Sequence, residues 1–289
     1  MTLPAFDYVR AGSLKEASEL ASEKGSKAIL MAGGTDVILL MKAKAVPADT
    51  VIDIKEISDL DSIVFSEGEG MRIGALAKLF DIQTSDIVRE KMPALADAAH
   101  YVASAQIRRK GTMAGNICNA SPSADTASIL LAMDAKIKVY NNEIERDVPI
   151  GDFFKGVKKT CLEKGDIVTE IFVPELKKGE GSAYFKHSVR KAMDLAIVGV
   201  AVWIKMDGDR VDDCRIAMGG VGTTPLRAYS AEKILKGSEL TDDLLEKAAE
   251  AASEECSPIS DVRASAEYRK DMIRVYTKRA VKKAVETMA

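Results

Sequence analysis

Hydrophobic and polar positions at the start of the chain predict a small unit of mixed helix and strand. Ser13 and Glu16 form a capping box, and apolar residues follow at helical spacing until Gly25 ends the run. Elements are then predicted in the order strand, short helix, strand at residues 27–32, 37–42 and 51–54. We therefore expect a β-α-β-loop-β subdomain over residues 1–57.

Between residues 58 and 176 the pattern indicates hairpins and helices. Two short apolar runs flank the glycine-bearing segment 66–70, which predicts an antiparallel hairpin. Pro93 has the position of a helix start, and Asn141 and Asn142 predict a tight turn between strands. The further predicted helices and strands lie at residues 79–91, 93–103, 136–140, 143–148 and 166–173. This subdomain is expected to be mixed α+β.

The charged segment 175–181 is the best candidate for a linker, because a second α+β pattern begins after it. Three strands at residues 183–189, 196–206 and 211–218 precede three helices, which predicts a three-stranded sheet backed by helices. In the last helix every fourth residue is expected to be buried: Tyr268, Met272, Tyr276, Ala280 and Ala284. The pattern thus predicts domains at residues 1–176 and 182–289.

The composition is that of an ordinary globular protein, and it disfavours nucleic acid as a partner and a membrane-spanning segment. Of the 289 residues, 47% are hydrophobic and 29% are charged, and interleaved acids and bases leave a net charge of -3. Nucleic acid is therefore not an expected partner. No apolar run approaches the ~20 residues of a membrane span, and the N-terminus lacks the features of a secretory signal. We expect a cytoplasmic protein.

Cysteine and histidine are too sparse for most metal and hydrolytic sites. The four cysteines are scattered and include no CxxC pair, so we expect reduced thiols and no metal site on this chain. His100 and His187 are the two histidines, which disfavours catalytic triads and histidine-metal sites. We assign no catalytic residue.

Two glycine-containing loops have the composition of a phosphate cradle. The first loop, residues 32–36 with the sequence AGGTD, follows a predicted strand. The second loop opens the segment 110–133, KGTMAGNICNASPSADTASILLAM, which runs into an apolar helix. Glycine lets a backbone approach a ligand, and free N–H groups at a helix start favour anions. Neither loop has a GxGxxG or GxxxxGK[ST] pattern, and AGGTD alone fits a tight strand-to-helix connection equally well.

Asp125 in the second segment has two possible roles. It could cap the helix predicted over residues 126–133, which is an ordinary role for aspartate. Alternatively, its carboxylate could accept hydrogen bonds from the sugar hydroxyls of a ligand. A carboxylate beside a diphosphate would be repelled unless it served such a hydroxyl.

Several segments in the same order, over nearly the whole chain, carry a resemblance to a known family. Besides the two loops, they are IGA at residues 73–75, DFFKGVKKTCLEKGDIVTEIFVP at 152–174, FKHSVRKAMDLAIVGVA at 185–201 and SAEYRKDMI at 265–273. Together they resemble the FAD-binding subunit of the molybdenum hydroxylases, the xanthine dehydrogenase and carbon monoxide dehydrogenase family. The resemblance implies a two-lobed FAD-binding domain of the PCMH type, followed by a C-terminal α+β domain of a three-stranded sheet with a helix bundle.

The resemblance also implies which residues hold FAD. Diphosphate contacts would come from the first loop, at Ala32, Gly33, Gly34, Thr35 and Asp36. Phosphate and ribityl contacts would come from Thr112, Gly115 and Asn116 of the second loop, with Asn119 nearby and Asp125 on the adenosine side.

The resemblance also assigns residues to the flavin end and the adenine end of FAD. Val102 and Ala103 would lie near the flavin edge, and Ile167 with Val168 would form the floor of the adenine. Lys186 would lie near the isoalloxazine, where a cation favours a reduced, anionic flavin. Leu195 stands where some members of the family place a tyrosine over the ring, so it would shield the ring without an aromatic stack. A core leucine at the start of a strand is an equally good interpretation of Leu195.

The function that the resemblance implies is electron transfer within a larger oxidoreductase. A molybdenum cofactor would lie on a molybdopterin-binding large subunit, and two-iron iron-sulfur clusters on a small subunit, since four scattered cysteines cannot ligate two such clusters. FAD on this chain would pass electrons to NAD, a quinone or ferredoxin. Two alternatives stay open: a self-contained FAD-dependent oxidase or reductase, and a non-redox protein that binds a phosphorylated ligand or acts as a scaffold.

Overall fold

A small parallel sheet begins the chain in the computed structural model, which describes residues 2–47 and 49–288. Its elements are β1 (Asp7–Arg10), α1 (Leu14–Lys24), β2 (Ala28–Met31), α2 (Val37–Lys42) and β3 (Thr50–Asp53), with the strand order β1-β3-β2. Ser13 caps α1 as predicted, because its hydroxyl accepts the Glu16 N–H, while the Glu16 carboxylate accepts the N–H of Gly12, one residue before the N-cap. The first loop lies between β2 and α2.

A five-stranded antiparallel sheet with helices on it forms the next part. Its elements are β4 (Ile63–Ser66), β5 (Gly70–Gly74), α3 (Leu79–Thr84), α4 (Asp86–Lys91), α5 (Pro93–Tyr101), α6 (Ala105–Arg108), α7 (Met113–Cys118), α8 (Asp125–Ala132), β6 (Lys136–Asn141), β7 (Ile144–Pro149), α9 (Ile150–Phe153) and β10 (Ile167–Pro174). The hairpin of β8 (Phe154–Gly156) and β9 (Lys159–Thr160) lies between α9 and β10. The sheet order is β4-β5-β10-β6-β7, so β10 joins two hairpins that are far apart in sequence.

Two local predictions in this part are wrong in detail. The single helix expected over residues 79–91 is two helices, because Ser85 has extended backbone angles and separates α3 from α4. The turn between β6 and β7 lies at Asn142 and Glu143, whose φ angles are +45° and +71°, one residue later than expected. Asn141 instead ends β6, where its side-chain amide donates to the Asp166 carboxylate at 2.8 Å.

The C-terminal part is a sheet with helices on one face. Its elements are β11 (Glu180–His187), β12 (Val198–Asp207), β13 (Arg210–Gly219), β14 (Leu226–Arg227), α10 (Tyr229–Leu235), α11 (Asp242–Glu254) and α12 (Ala266–Glu286). The three predicted strands are present in the order β11-β12-β13, and the two-residue strand β14 adds a fourth at the edge of β13. Thr241 caps α11, as its hydroxyl accepts the Leu244 N–H.

Both faces of this C-terminal sheet are covered. Val200 and Val202 of β12 pack with α10, α11 and α12 on one face. Ala201 and Trp203 alternate with them and join the core of the five-stranded part on the other face. Helix α8 is buried along its whole length, because it lies between the C-terminal sheet and helices α5 and α7. The helix that follows the second loop is therefore fixed from both sides.

The predicted buried face of α12 is wrong for three of its five residues. Tyr268 is 41% exposed, and Met272 and Tyr276 are only partly buried, whereas Ala280 and Ala284 are buried as expected. The face that packs on the sheet is displaced around the helix and consists of Arg269, Ile273, Thr277, Ala280, Val281 and Ala284. The hydroxyls of Tyr268 and Tyr276 both bind the ring of His187 at the margin of the sheet.

Candidate functional site

The two glycine loops lie in direct contact. A Cβ atom built on Gly33 would lie 2.0 Å from the carbonyl oxygen of Lys110, so only glycine fits there. A Cβ atom on Gly111 would lie 3.4 Å from the Thr35 Oγ1, which places the far end of the first loop against the second. Loops that are about 75 residues apart in sequence therefore form one site, as the phosphate-cradle hypothesis requires.

The backbone of the first loop has unused hydrogen-bond donors. Within the described residues, the N–H groups of Gly33, Gly34, Thr35 and Asp36 donate to no protein acceptor. Gly34 is buried and has a φ of +72°, a conformation that favours glycine. Buried N–H groups rarely stay unpaired, so consecutive free donors at a turn are suited to an anion.

The second loop is held by its own hydroxyl and amide groups. The Thr112 hydroxyl caps α7 by accepting the Gly115 N–H at 3.0 Å, and the Asn116 Oδ1 accepts the Thr126 hydroxyl at 2.6 Å. The N–H of Gly115 is therefore already hydrogen-bonded within the protein. Because Gly115 has no side chain, a ligand can still approach its backbone closely. The Asn116 side-chain N–H₂ has no acceptor among the described residues, so it remains available to a ligand.

The residues predicted beside the flavin ring, Val102, Ala103 and Leu195, lie on two adjacent segments. Ala103 has a φ of +47°, and its carbonyl accepts the Met193 N–H at 3.3 Å. The segment that holds Met193 also contains Leu195, and it leads into β12. The turn at Val102 and Ala103 is therefore adjacent to the loop of Leu195. Leu195 is 47% exposed, so the interpretation as a core leucine is wrong.

Lys186 has a buried ammonium group whose three N–H donors are all used within the protein. They bind the carbonyl of Tyr101 at 3.0 Å, the carbonyl of Asp194 at 2.8 Å and the carboxylate of Asp125 at 2.9 Å. An ammonium group has no fourth donor, so Lys186 has none left for a ligand in this arrangement. Its charge is also balanced locally by Asp125.

Asp125 is engaged by the C-terminal sheet on both of its oxygens. Tyr184 donates its hydroxyl to Oδ1 at 2.8 Å, and Lys186 binds Oδ2. Burial raises the pKa of the Asp125 carboxyl, although Lys186 and the Tyr184 hydrogen bond lower it. Burial, followed by the neighbouring Asp125, raises the pKa of Tyr184 well above its usual value. This polar cluster connects β11 to the start of α8.

These contacts correct one predicted role, that of Asp125 as a helix cap. Asp125 does not cap α8, because the N-cap residue is Ala124 and the carboxylate points to Tyr184 and Lys186. Asp125, expected on the adenosine side, and Lys186, expected near the isoalloxazine, are in contact with each other, and both assignments stay predictions. Lys186 also connects elements that are remote in sequence.

Ile167 and Val168 lie at the start of β10 and are almost completely covered by protein. Ile167 is 1% exposed and packs with Ala32 in the core beneath the small parallel sheet, while Val168 is 6% exposed and belongs to the main core. Their side chains therefore offer little surface to an adenine. Asn119, at the end of α7, accepts a hydrogen bond from the Lys158 ammonium at 2.7 Å.

Sequence reasoning missed several residues that shape the site. Tyr184 could have been found, because it lies two residues before Lys186 on a strand and so shares its face. Arg108 is only 7% exposed and donates to the Val102 carbonyl at 2.9 Å, but no motif marked it. Burial lowers the pKa of the Arg108 guanidinium. Through Arg108 the protein fixes the turn beside Ala103.

Metal-binding clusters and membrane-spanning helices are both absent from the part of the chain that the structure describes. Over residues 2–47 and 49–288, no group of three or more His, Cys, Asp or Glu side chains is arranged to hold a metal ion. The four cysteines are free thiols, and burial raises the pKa of Cys118, Cys214 and Cys256 to about 12 in each case. None of the helices that the structure describes is both long and apolar enough to cross a bilayer.

Two glycine loops in contact, the first with free N–H groups, are typical of the class of proteins that hold a phosphate-bearing cofactor. Comparison with known families agrees. Residues 4–176 match the FAD binding domain in molybdopterin dehydrogenase, and residues 183–284 match the CO dehydrogenase flavoprotein C-terminal domain.

Relatives and solved structures match over the full length of the chain. The glyceraldehyde dehydrogenase medium chain of Sulfolobus acidocaldarius is 38% identical over 279 residues, which cover 96% of this chain and 98% of that protein. The xanthine dehydrogenase FAD-binding subunit of Escherichia coli O157:H7 is 34% identical over 279 residues, covering 96% and 95%. A structure of carbon monoxide dehydrogenase from Hydrogenophaga pseudoflava aligns with a TM-score of 0.96 at 35% identity, covering 100% of both chains.

The chain therefore belongs to the family of FAD-binding medium subunits of the xanthine and carbon monoxide dehydrogenases, which are molybdenum hydroxylases. The predicted family, the α+β fold, FAD as the cofactor and the oxidoreductase class are confirmed.

Proposed function

We propose that this chain binds FAD between its two glycine loops and passes electrons from iron-sulfur clusters on a partner subunit to an external acceptor. The observation that carries the proposal is the contact between Gly33 and the Lys110 carbonyl, which joins the loops into one cradle. The first loop would hold the diphosphate with its free N–H groups, and Asn116 would donate to the phosphates or the ribityl chain.

The isoalloxazine would lie beside Val102, Ala103 and Leu195, where the structure provides a turn and an exposed leucine. When it is bound there, FAD supplies the redox chemistry. Arg108 fixes the turn at Val102 through the Val102 carbonyl. Lys186 binds the carbonyls of Tyr101 and Asp194, which come immediately before Val102 and Leu195 in the chain. The task of these residues is to orient the ring edge, and no acid or base on this chain is assigned to the reaction.

The proposed partners are a molybdopterin-binding large subunit and a small subunit with two-iron iron-sulfur clusters. Relatives of full length are named medium chains or FAD-binding subunits, which supports a division of labour among polypeptides. The free cysteines of this chain form no cluster-binding group within the described residues. The proposed acceptor is NAD, a quinone or ferredoxin.

The decisive experiment compares the isolated chain with the assembled complex. The chain is purified alone and with its co-expressed partners, and FAD content and anaerobic FAD reduction by substrate are followed by absorbance near 450 nm, the ordinary band of oxidised flavin. We expect FAD in both preparations and substrate-dependent reduction in the complex alone. Turnover by the isolated chain would favour a self-contained oxidase or reductase. A chain that binds a phosphorylated ligand but no FAD would favour the non-redox alternative.

A further inference from the structure

A third segment besides the two loops, the hairpin of β8 and β9, lies next to the phosphate cradle. The hairpin of β8 and β9 turns at Val157 and Lys158, and the Lys158 N–H donates to the carbonyl of Ala120 at 2.9 Å. Lys158 has a φ of +58°, a left-handed conformation in which a lysine is uncommon. The hairpin is thereby held against the end of α7, and the direction of the Lys158 side chain is set by the turn.

The Lys158 ammonium lies against the end of helix α7, which the second loop enters. It donates to the Asn119 Oδ1 at 2.7 Å, immediately after α7. Asp36, which ends the first loop, is close enough for its carboxylate to raise the pKa of Lys158, although the surrounding protein lowers that pKa to a larger extent. The hydrogen bond to Asn119 and the backbone contact with Ala120 therefore place one cation beside the end of α7, on an element that sequence reasoning did not connect with the cradle.

The cradle needs a positive charge to balance a bound diphosphate, and Lys158 can supply it. A diphosphate brings two negative charges, while the free N–H groups of the first loop are neutral and Asp36 adds a further negative charge. Asn119 uses one of the three N–H donors of Lys158, which leaves two for an anion. A hydrogen bond between an ammonium and a phosphate oxygen is stronger than one between neutral groups.

We infer that Lys158 is a cofactor-binding residue whose ammonium contacts the diphosphate of FAD, held in place by Asn119 and by the backbone of Ala120. The inference rests on the proposed position of FAD between the two glycine loops. Its ligand chemistry is that of a nucleoside diphosphate, so the adenosine diphosphate part of FAD is sufficient to engage it. The role is electrostatic and needs no contact with the flavin ring.

The test uses the full chain, freed of flavin, and measures FAD dissociation constants by flavin fluorescence at several salt concentrations. Three variants are compared with wild type: Lys158→Met, Lys158→Arg and Lys159→Met. Lys159→Met is the matched control, because it removes the same charge from the next residue of the hairpin. ADP is used as a competitor, since it carries the diphosphate without the ring.

We expect Lys158→Met to weaken FAD binding by about 10- to 100-fold and to weaken ADP competition by the same factor. The loss of one ionic contact also makes the affinity of this variant less dependent on salt than that of wild type. Lys158→Arg restores most of the affinity, and Lys159→Met binds as wild type does.

Three outcomes would overturn the role of Lys158 while leaving the proposed function intact. They are wild-type affinity in Lys158→Met, equal losses in Lys158→Met and Lys159→Met, and weaker binding with an unchanged salt dependence. The last of these would mean that Lys158 only supports the hairpin, and the melting temperature of the ligand-free variant would fall accordingly. Failure of the wild-type chain itself to bind FAD would instead overturn the proposed function.

Discussion

The Lys186 ammonium lies 2.9 Å from the Asp125 carboxylate, and this ion pair joins strand β11 to the first turn of helix α8. The side chains are only 4% and 8% exposed. Because Tyr184 and two backbone carbonyls complete the hydrogen bonds of the pair, neither charge is left unpaired. The C-terminal sheet is thus fastened to the helix that follows the second loop.

Removal of Lys186 should be strongly destabilising. Lys186→Met leaves the Asp125 carboxylate buried without a cation, and we expect the free energy of unfolding to fall by about 3 to 5 kcal/mol. Urea denaturation measures this change. In the double variant Lys186→Met with Asp125→Asn the buried charge is gone, so it should lose less than the sum of the two single variants.

A matched control for this prediction is Lys205→Met, which removes an ion pair with Asp212 at the surface. Both partners are nearly half exposed, so little change in stability is expected. Similar losses in Lys186→Met and Lys205→Met would contradict the importance of the buried pair.

Gly33→Ala should open the cradle. The added Cβ would lie 2.0 Å from the Lys110 carbonyl, so the two loops must separate to admit it. We expect the purified variant to retain less than about a tenth of the wild-type FAD, since the diphosphate contacts depend on both loops. The ratio of absorbance at 450 nm to that at 280 nm reports this content. Gly151→Ala is the control, because its Cβ would meet nothing closer than 3.9 Å, and an unchanged FAD content in Gly33→Ala would refute the loop contact.

The buried Asp166 carboxylate should make stability depend on acid pH. Burial raises the pKa of Asp166, but hydrogen bonds from Arg146, the Glu163 N–H and Asn141 together hold it below its usual value of 3.8. A lowered pKa in the folded state stabilises the protein above the unfolded pKa, and this contribution is lost as the pH falls through the folded pKa.

The Asp166→Asn variant has no titrating group at this position, so it tests directly whether the contribution of Asp166 to stability is lost as the pH falls. We expect the variant to melt below wild type at neutral pH, and the gap in melting temperature to narrow as the pH falls below about 4. Calorimetry across that range measures the gap. A gap that stays constant with pH would show that Asp166 contributes by packing or neutral hydrogen bonds alone.

Leu195→Tyr tests where the flavin ring lies. Leu195 is 47% exposed in the segment beside Ala103, so a tyrosine has room to lie over a bound ring. We expect the variant to keep its FAD and to lose most of its flavin fluorescence, because a stacked phenol quenches an excited flavin by electron donation. Val262→Tyr, at a position that is 99% exposed, is the control. Equal emission from the two variants would place the ring elsewhere.

The sequence was sufficient for the fold class and for both loops, because glycine, hydroxyl and helix-start signals are local. It was insufficient for the face of α12 that packs on the sheet. A spacing of four residues turns about 400° around a helix with 3.6 residues per turn, so a strict series drifts across the surface and leaves the buried face. Tyr268 and Ile273 show the result, since the former is exposed and the latter is buried.

The role of Lys186 lay beyond sequence reasoning for a different reason. Its acceptors come from Tyr101, Asp125 and Asp194, which only the tertiary structure brings together. The family motif therefore predicted where Lys186 lies, but it did not show that Asp125 neutralises its charge. Lys158 was missed for the same reason, because its neighbours Asn119 and Ala120 are remote in sequence.

The position of β10 has a consequence for the order in which the protein is made. This strand lies in the middle of the five-stranded sheet, between β5 and β6, yet it is the last of the five to leave the ribosome. A nascent chain that ends before Ile167 contains both glycine loops but only two separate hairpins, each with an open edge that can pair with another chain. A pause in translation before this central strand would therefore expose the protein to aggregation.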